Sequence, residues 1–169
     1  HADSRERIRM TMPDQPVPFV DLGWQHRLVA DEVAAGFAAV ADTTAFIDGP
    51  DVARFEAMFA EFVGAPHCVG VANGTDAIEL ALRAAGIGSG QKVVLPANTF
   101  IATAEAVVRA GAEPLLVDCD DEHLLLDTDA AAAAVAEGAD AVIGVHLYGQ
   151  MAPLERLGEV AAGQGARVF

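Results

Sequence analysis

The stretch Val69-Gly70-Val71-Ala72-Asn73-Gly74-Thr75-Asp76-Ala77-Ile78-Glu79-Leu80-Ala81-Leu82 decides how the rest of the chain is read. Val69 to Ala72 is a short apolar run of the kind that fills a buried parallel strand, and Asn73-Gly74 supplies the two residue types that best tolerate positive φ. From Thr75 onward, Ile78, Ala81, Leu82 and Ala85 recur on one helical face. Strand, tight turn and helix in this order direct the backbone N–H groups of residues 74 to 77 beyond the strand end, where they suit a phosphate. A hairpin is disfavoured, because it needs a second alternating strand and a helical pattern follows instead.

Downstream the pattern alternates regularly. A strand is expected at 92–96, a helix from about 100 to 110, a strand at 114–118 and an alanine-rich helix at 128–137. A strand at 140–146, a helix at 152–162 and a strand opening at Ala166 complete the series. Runs such as Val93-Val94-Leu95 and Ala141-Val142-Ile143-Gly144-Val145 are apolar without alternation, as a parallel sheet covered by helices on both faces requires. The reading is α/β with right-handed crossovers, and ligands then bind at the carboxyl ends of the strands. The last strand stops after two apolar residues at Phe169, which implies an unfinished sheet and a chain that is the first part of something larger.

Upstream, His1 to Gln15 is charged and polar and lacks the apolar core of a signal peptide. It reads as a loose or disordered N-terminal segment, or a cloning remnant ahead of Met10 or Met12. Residues 17–22 form an extended arm. A helix over 26–41 is expected to turn Val29, Val33, Phe37 and Val40 inward, and Phe46-Ile47-Asp48-Gly49-Pro50 breaks it. A second helix begins near Asp51, carries Val52, Phe55, Phe59 and Phe62 on one face as core, and ends at Gly64 in a left-handed cap.

Of 169 residues, 53% are hydrophobic, enough for a sizeable core, and no apolar run approaches the roughly 20 residues that span a bilayer. Acidic residues outnumber basic ones by 25 to 10, and a net charge of −15 repels nucleic acid and anionic lipid. Cys68 and Cys119 have no metal-ligand spacing and sit in apolar runs, which favours two buried reduced thiols and a cytoplasmic setting.

The strand ends carry the chemistry: Asn73-Gly74-Thr75, Ala97-Asn98-Thr99-Phe100, Asp118-Cys119-Asp120 and His146-Leu147-Tyr148-Gly149. An N–H nest, an aromatic ring, a carboxylate pair and a His-Tyr pair on one edge suit a phosphorylated, flat, heteroaromatic ligand.

Phe46-Ile47-Asp48-Gly49-Pro50, Ala72-Asn73-Gly74-Thr75-Asp76-Ala77, Pro96-Ala97-Asn98-Thr99-Phe100-Ile101-Ala102-Thr103 and Val145-His146-Leu147-Tyr148-Gly149-Gln150 resemble, in order and spacing, the DegT/DnrJ/EryC1/StrS aminotransferase family. The resemblance runs from about Val17 to Phe169. It implies a three-layer α/β sandwich with a mostly parallel central sheet, the fold type I of pyridoxal-phosphate-dependent transferases, with residues 16–169 as the N-terminal part of the cofactor-binding large domain. It also implies pyridoxal 5'-phosphate as cofactor. The Asn73-Gly74-Thr75 turn would hold the phosphate and Phe100 would stack on the pyridine ring. Thr103, Asp118, His146 and Tyr148 would contact the substrate or support the residues that do. The implied substrate is a keto-sugar, usually on a nucleotide carrier, aminated from glutamate or glutamine by a homodimer.

No catalytic residue is expected within this segment. In the resembling family the carboxylate that meets the pyridinium nitrogen and the lysine that bonds the cofactor fall after the position of Phe169. Lys92, the only lysine, starts a strand at the end opposite the ligand edge. A sugar dehydratase, with histidine in place of that lysine, is the alternative within the family. A Rossmann-type nucleotide module is the alternative outside it, disfavoured because the turn lacks the G-x-G-x-x-G spacing.

Overall fold

The computed structural model describes residues 18–169. The segment 1–15 and the start of the arm at Val17 lie outside the described residues. The chain divides into two compact units, one up to Cys68 and one over Val69–Phe169.

The first unit contributes α1 (Leu22–Thr43) and α2 (Pro50–Val63). Asp21 caps α1 by accepting the Trp24 N–H, and the helix ends at Thr44 in a left-handed conformation. The connection then closes on Gly49, where an added Cβ would lie 2.6 Å from the Ala45 carbonyl oxygen. Only glycine fits there, and Pro50 follows at the first helical position, where its missing N–H costs nothing. Gly64 closes α2 with φ 70°, as its sequence position suggests.

Two expectations for these helices are corrected. Val29, Val33 and Phe37 share a face of α1, but that face is exposed, and α1 buries none of its residues. An apolar stripe is buried only when another layer closes over it, and within this unit none does. The aromatic stripe of α2 is likewise not core. Phe55, Phe59 and Phe62 are exposed and border a groove of about 400 Å3 that Asp51, Arg54 and Met58 complete.

The second unit is a three-layer α/β sandwich. Its elements run α3 (Gly74–Ala84), β1 (Lys92–Pro96), α4 (Ala102–Ala110), β2 (Glu113–Val117), α5 (Thr128–Ala136), β3 (Ala141–Val142), α6 (Leu154–Ala162) and β4 (Arg167–Val168). The sheet order is β2-β1-β3-β4 and every pairing is parallel. Alternate residues of the strands feed opposite layers. Val93, Leu95, Ala141 and Ile143 pack with Leu82 of α3 and Val107 of α4, while Val94 and Val142 pack with Val135 of α5 and Leu157 of α6. Burying such side chains contributes about 1.5–3 kcal/mol each, which is why unbroken apolar strands select this covered sheet.

Three strand details depart from the sequence reading. Val69 to Ala72 forms no strand, and Val69 is 77% exposed. Asn73 and Gly74 do not use positive φ; Asn73 is extended at φ −164° and serves as the N-cap of α3. β3 is shorter than the expected 140–146, although the Ile143 and Gly144 N–H groups still reach the carbonyls of Val94 and Phe169. Residue 144 is glycine because α6 approaches it: a Cβ there would sit 2.7 Å from Leu154 Cδ2.

Cys68 and Cys119 are free thiols, half-buried rather than fully buried. Among the described residues no helix is long and apolar enough to cross a membrane.

Candidate functional site

The carboxyl ends of the strands open onto a cavity of about 370 Å3, lined by the first residues of α3, the loop entering α4 and the turn after β3. Gly74 and Thr75 come from α3, Thr99, Phe100, Ala102 and Thr103 from the loop and start of α4, and Val145, His146, Leu147 and Tyr148 from the turn. Parallel strands bring these separated stretches to one edge, as the sequence order predicts.

At the α3 edge, the Asn73 side chain accepts the Asp76 N–H at 2.9 Å and donates to Asp76 Oδ2 at 3.0 Å, while the Asn73 main-chain carbonyl takes the Ala77 N–H at 3.1 Å. This reciprocal cap uses up the inner N–H groups of the first turn. The outer two, of Gly74 and Thr75, belong to residues that line the cavity. A Cβ added at Gly74 would meet no atom within 4 Å. Protein packing therefore does not demand a glycine; its absence of side chain leaves room beside the N–H for a ligand.

At the α4 edge, Phe100 is 73% exposed, so its ring is a large apolar surface that the protein leaves uncovered at the cavity. Three positions on, Thr103 is only 5% exposed, with its hydroxyl 2.9 Å from that of Thr99. The pair braces the loop that carries Phe100.

After β3, His146 Nδ1 accepts the Ala152 N–H at 2.9 Å, so the neutral ring carries its proton on Nε2 and presents a donor. Tyr148 is 96% exposed and sits at φ 53°, ψ 26°, a left-handed conformation that costs a residue with a Cβ on the order of 1 kcal/mol. Gly74, Thr75, Phe100, Thr103, His146 and Tyr148 thus gather around one space, while Asn73 does not line it and serves as the N-cap of α3. Asp118 does not line it. Its carboxylate accepts the Cys119 N–H and its carbonyl the Asp127 N–H, which holds the loop leaving β2. Asp120 is occupied similarly, its carboxylate held below the ordinary range chiefly by the His123 N–H, against the opposing effect of burial, with the N–H groups of Glu122 and Leu125 adding to it.

Sequence reading missed the part played by Asp76 and Arg109. Arg109 Nη2 reaches Asp76 Oδ1 at 2.9 Å across a separation of 33 residues, a distance over which no local pattern signals a pair. Lys92 opens β1 at the opposite end of the sheet, where its N–H donates to Asp140 Oδ2.

The DegT/DnrJ/EryC1/StrS aminotransferase family model matches residues 28–169, and the chain belongs to that family. The UDP-2-acetamido-2-deoxy-3-oxo-D-glucuronate aminotransferase of Pseudomonas aeruginosa is 38% identical over 90% of this chain and 43% of its own length. Among solved structures, Streptomyces venezuelae DesV in complex with a ketimine intermediate superposes with a TM-score of 0.85 at 38% identity, covering 90% of this chain and 41% of that one. The NtdA protein of Bacillus subtilis with bound cofactor PMP gives a TM-score of 0.86 at 26% identity, covering 94% and 37%. The chain therefore spans about two fifths of the length of the relatives it matches.

Proposed function

We propose that this chain provides the phosphate-holding and ring-stacking part of a pyridoxal-phosphate-dependent aminotransferase that aminates a nucleotide-linked keto-sugar, with glutamate or glutamine as donor. Residues 16–169 form the N-terminal part of its cofactor-binding large domain. The observation that carries the reading is the convergence of Gly74 and Thr75 with the uncovered ring of Phe100 in one cavity of about 370 Å3.

The residues fit the cofactor. The N-terminus of α3 places N–H groups and the positive end of the helix dipole at the cavity, which suits a phosphate dianion. The open space at Gly74 admits its oxygens to the backbone. Phe100 offers a face to a flat heteroaromatic ring, and His146 offers a directed donor. Bound there, pyridoxal phosphate supplies the electron sink that amino transfer needs. Within this chain Thr75 and Gly74 anchor, Phe100 orients, and Thr103 fixes the loop that carries it. The P. aeruginosa relative, whose name specifies a UDP-linked keto-sugar, supports the substrate class. The net charge of −15 supports a protein that leaves nucleic acid and anionic membrane alone, the free thiols of Cys68 and Cys119 support a cytoplasmic setting, and we propose a homodimer as its working form.

Equilibrium dialysis of the full-length protein tests the reading. It should bind pyridoxal phosphate well over tenfold more tightly than pyridoxal, and glutamate or glutamine should convert the bound cofactor to pyridoxamine phosphate. Equal affinity for the two forms would remove the phosphate from the α3 terminus.

A further inference from the structure

Arg109 sits in the last turn of α4 and crosses to α3. Its guanidinium lies 2.9 Å from Asp76 and 2.7 Å from Glu79, with Glu105 of its own helix at 3.9 Å. Glu79 also takes Arg83 at 2.9 Å, and Arg83 donates in turn to the Arg109 carbonyl. Three carboxylates therefore share two arginines. Within this cluster Asp76 is set apart by position: it is in the first turn of α3, one residue beyond Thr75, and its carboxylate closes the cap with Asn73.

That position creates a conflict. A carboxylate in the first turn favours the helix itself, yet it opposes any second anion brought to the same turn. A phosphate dianion on the Gly74 and Thr75 N–H groups would meet it at close range. Neutralisation has to come from a cation fixed beside Asp76, and Arg109 is the group within ion-pair distance of it among the described residues.

We propose that Arg109 is a positioning residue for the cofactor phosphate, one that offsets part of the charge of Asp76, its guanidinium being shared with Glu79, while leaving the Asn73–Asp76 cap closed. This rests on the reading of the cavity as the pyridoxal phosphate site. It assigns a role in cofactor affinity to a side chain that does not line the cavity and touches the ligand only through Asp76. The arrangement also lets the chain keep an acidic helix start for stability and an anion site at the same place.

Dissociation constants of pyridoxal phosphate and of pyridoxal, measured by equilibrium dialysis on the full-length protein, test it. Arg109→Met should weaken pyridoxal phosphate about tenfold and leave pyridoxal within about twofold. Adding Asp76→Asn to Arg109→Met should restore the phosphate form to within about threefold of wild type, because both members of the opposed pair are then neutral. Arg109→Lys, which keeps the charge, should also remain within about threefold. Should Arg109→Met fail to fold, Asp76→Asn alone decides: it should tighten pyridoxal phosphate and leave pyridoxal unchanged. Equal weakening of both ligands by Arg109→Met, no rescue in the double variant, or weaker phosphate binding by Asp76→Asn would overturn the inference. A wild type that fails to prefer the phosphate form would overturn the cofactor reading beneath it.

Discussion

At the scale of single residues, Gly74 and Phe100 separate binding from folding. Gly74 has no atom within 4 Å of a would-be Cβ beyond its chain neighbours and its own helix backbone, and it begins a helix without positive φ, so Gly74→Ala should hold or raise stability, by about 0.4–1 kcal/mol, through a less flexible unfolded chain. The same methyl occupies the approach to the N–H groups, and pyridoxal phosphate should bind at least tenfold less tightly. Thermal melts and cofactor titration of one sample check both halves; unchanged affinity would place the phosphate elsewhere. Phe100 is exposed and lost packing is small, so Phe100→Ala should change the melting temperature little. Loss of stacking is worth about 0.5–1.5 kcal/mol, a roughly three- to tenfold loss of cofactor affinity. Equal affinity in a folded mutant would remove Phe100 from the site.

At the scale of elements, what could be read from sequence followed how much each run buries. β1 was legible to the residue because Val93, Val94 and Leu95 are wholly buried, and a covered parallel strand leaves no other use for three consecutive apolar residues. Val69 to Ala72 is also a short apolar run, yet it forms no strand and leaves Val69 exposed, because an apolar pattern cannot report whether a neighbouring strand covers it. The inward faces assigned to α1 and α2 fail for the same reason: amphipathicity marks a side, and whether a layer covers it is decided elsewhere in space. The cavity residues were legible because chain order in a parallel sheet dictates which loops share an edge. Asp118 and Asp120 have the right edge but spend their oxygens on backbone N–H groups of their own loop. That use gives Asp120 a testable pH signature. Its folded-state pKa is lowered, first by the His123 N–H, so its contribution to stability is present above the ordinary carboxylate range and is lost as pH falls through the depressed value. Asp120→Asn should therefore flatten the acid limb of a stability-against-pH curve and leave its shape above pH 6 unchanged; parallel curves for mutant and wild type would count against the turn as an acid-sensitive element.

At the scale of the whole molecule, α1 and α2 expose large apolar side chains along one face each, among them Val33 and Phe37 of α1 and Phe55, Phe59 and Phe62 of α2, the kind of surface that marks an interaction face. We expect the full-length protein to be a homodimer, and light scattering that finds a stable, active monomer would contradict this. Charge sets the last expectation. On the proposed function, a segment of net charge −15 has to attract a nucleotide diphosphate locally, and the α3 terminus is then assigned to the cofactor phosphate. Arg83 is committed to Glu79 and to the Arg109 carbonyl, and Arg156 to Glu159 at 3.0 Å. Neither lines the cavity. The cations that pair the diphosphate should then come from other parts of the full-length protein or from the second subunit, with arginine or lysine in that role. Replacing Arg83 or Arg156 singly by Met should leave the KM for the nucleotide-sugar within about twofold at fixed salt. A tenfold rise for either, equivalent to about 1.4 kcal/mol, would show that its ion pair opens in the complex and that this segment carries the substrate clamp itself.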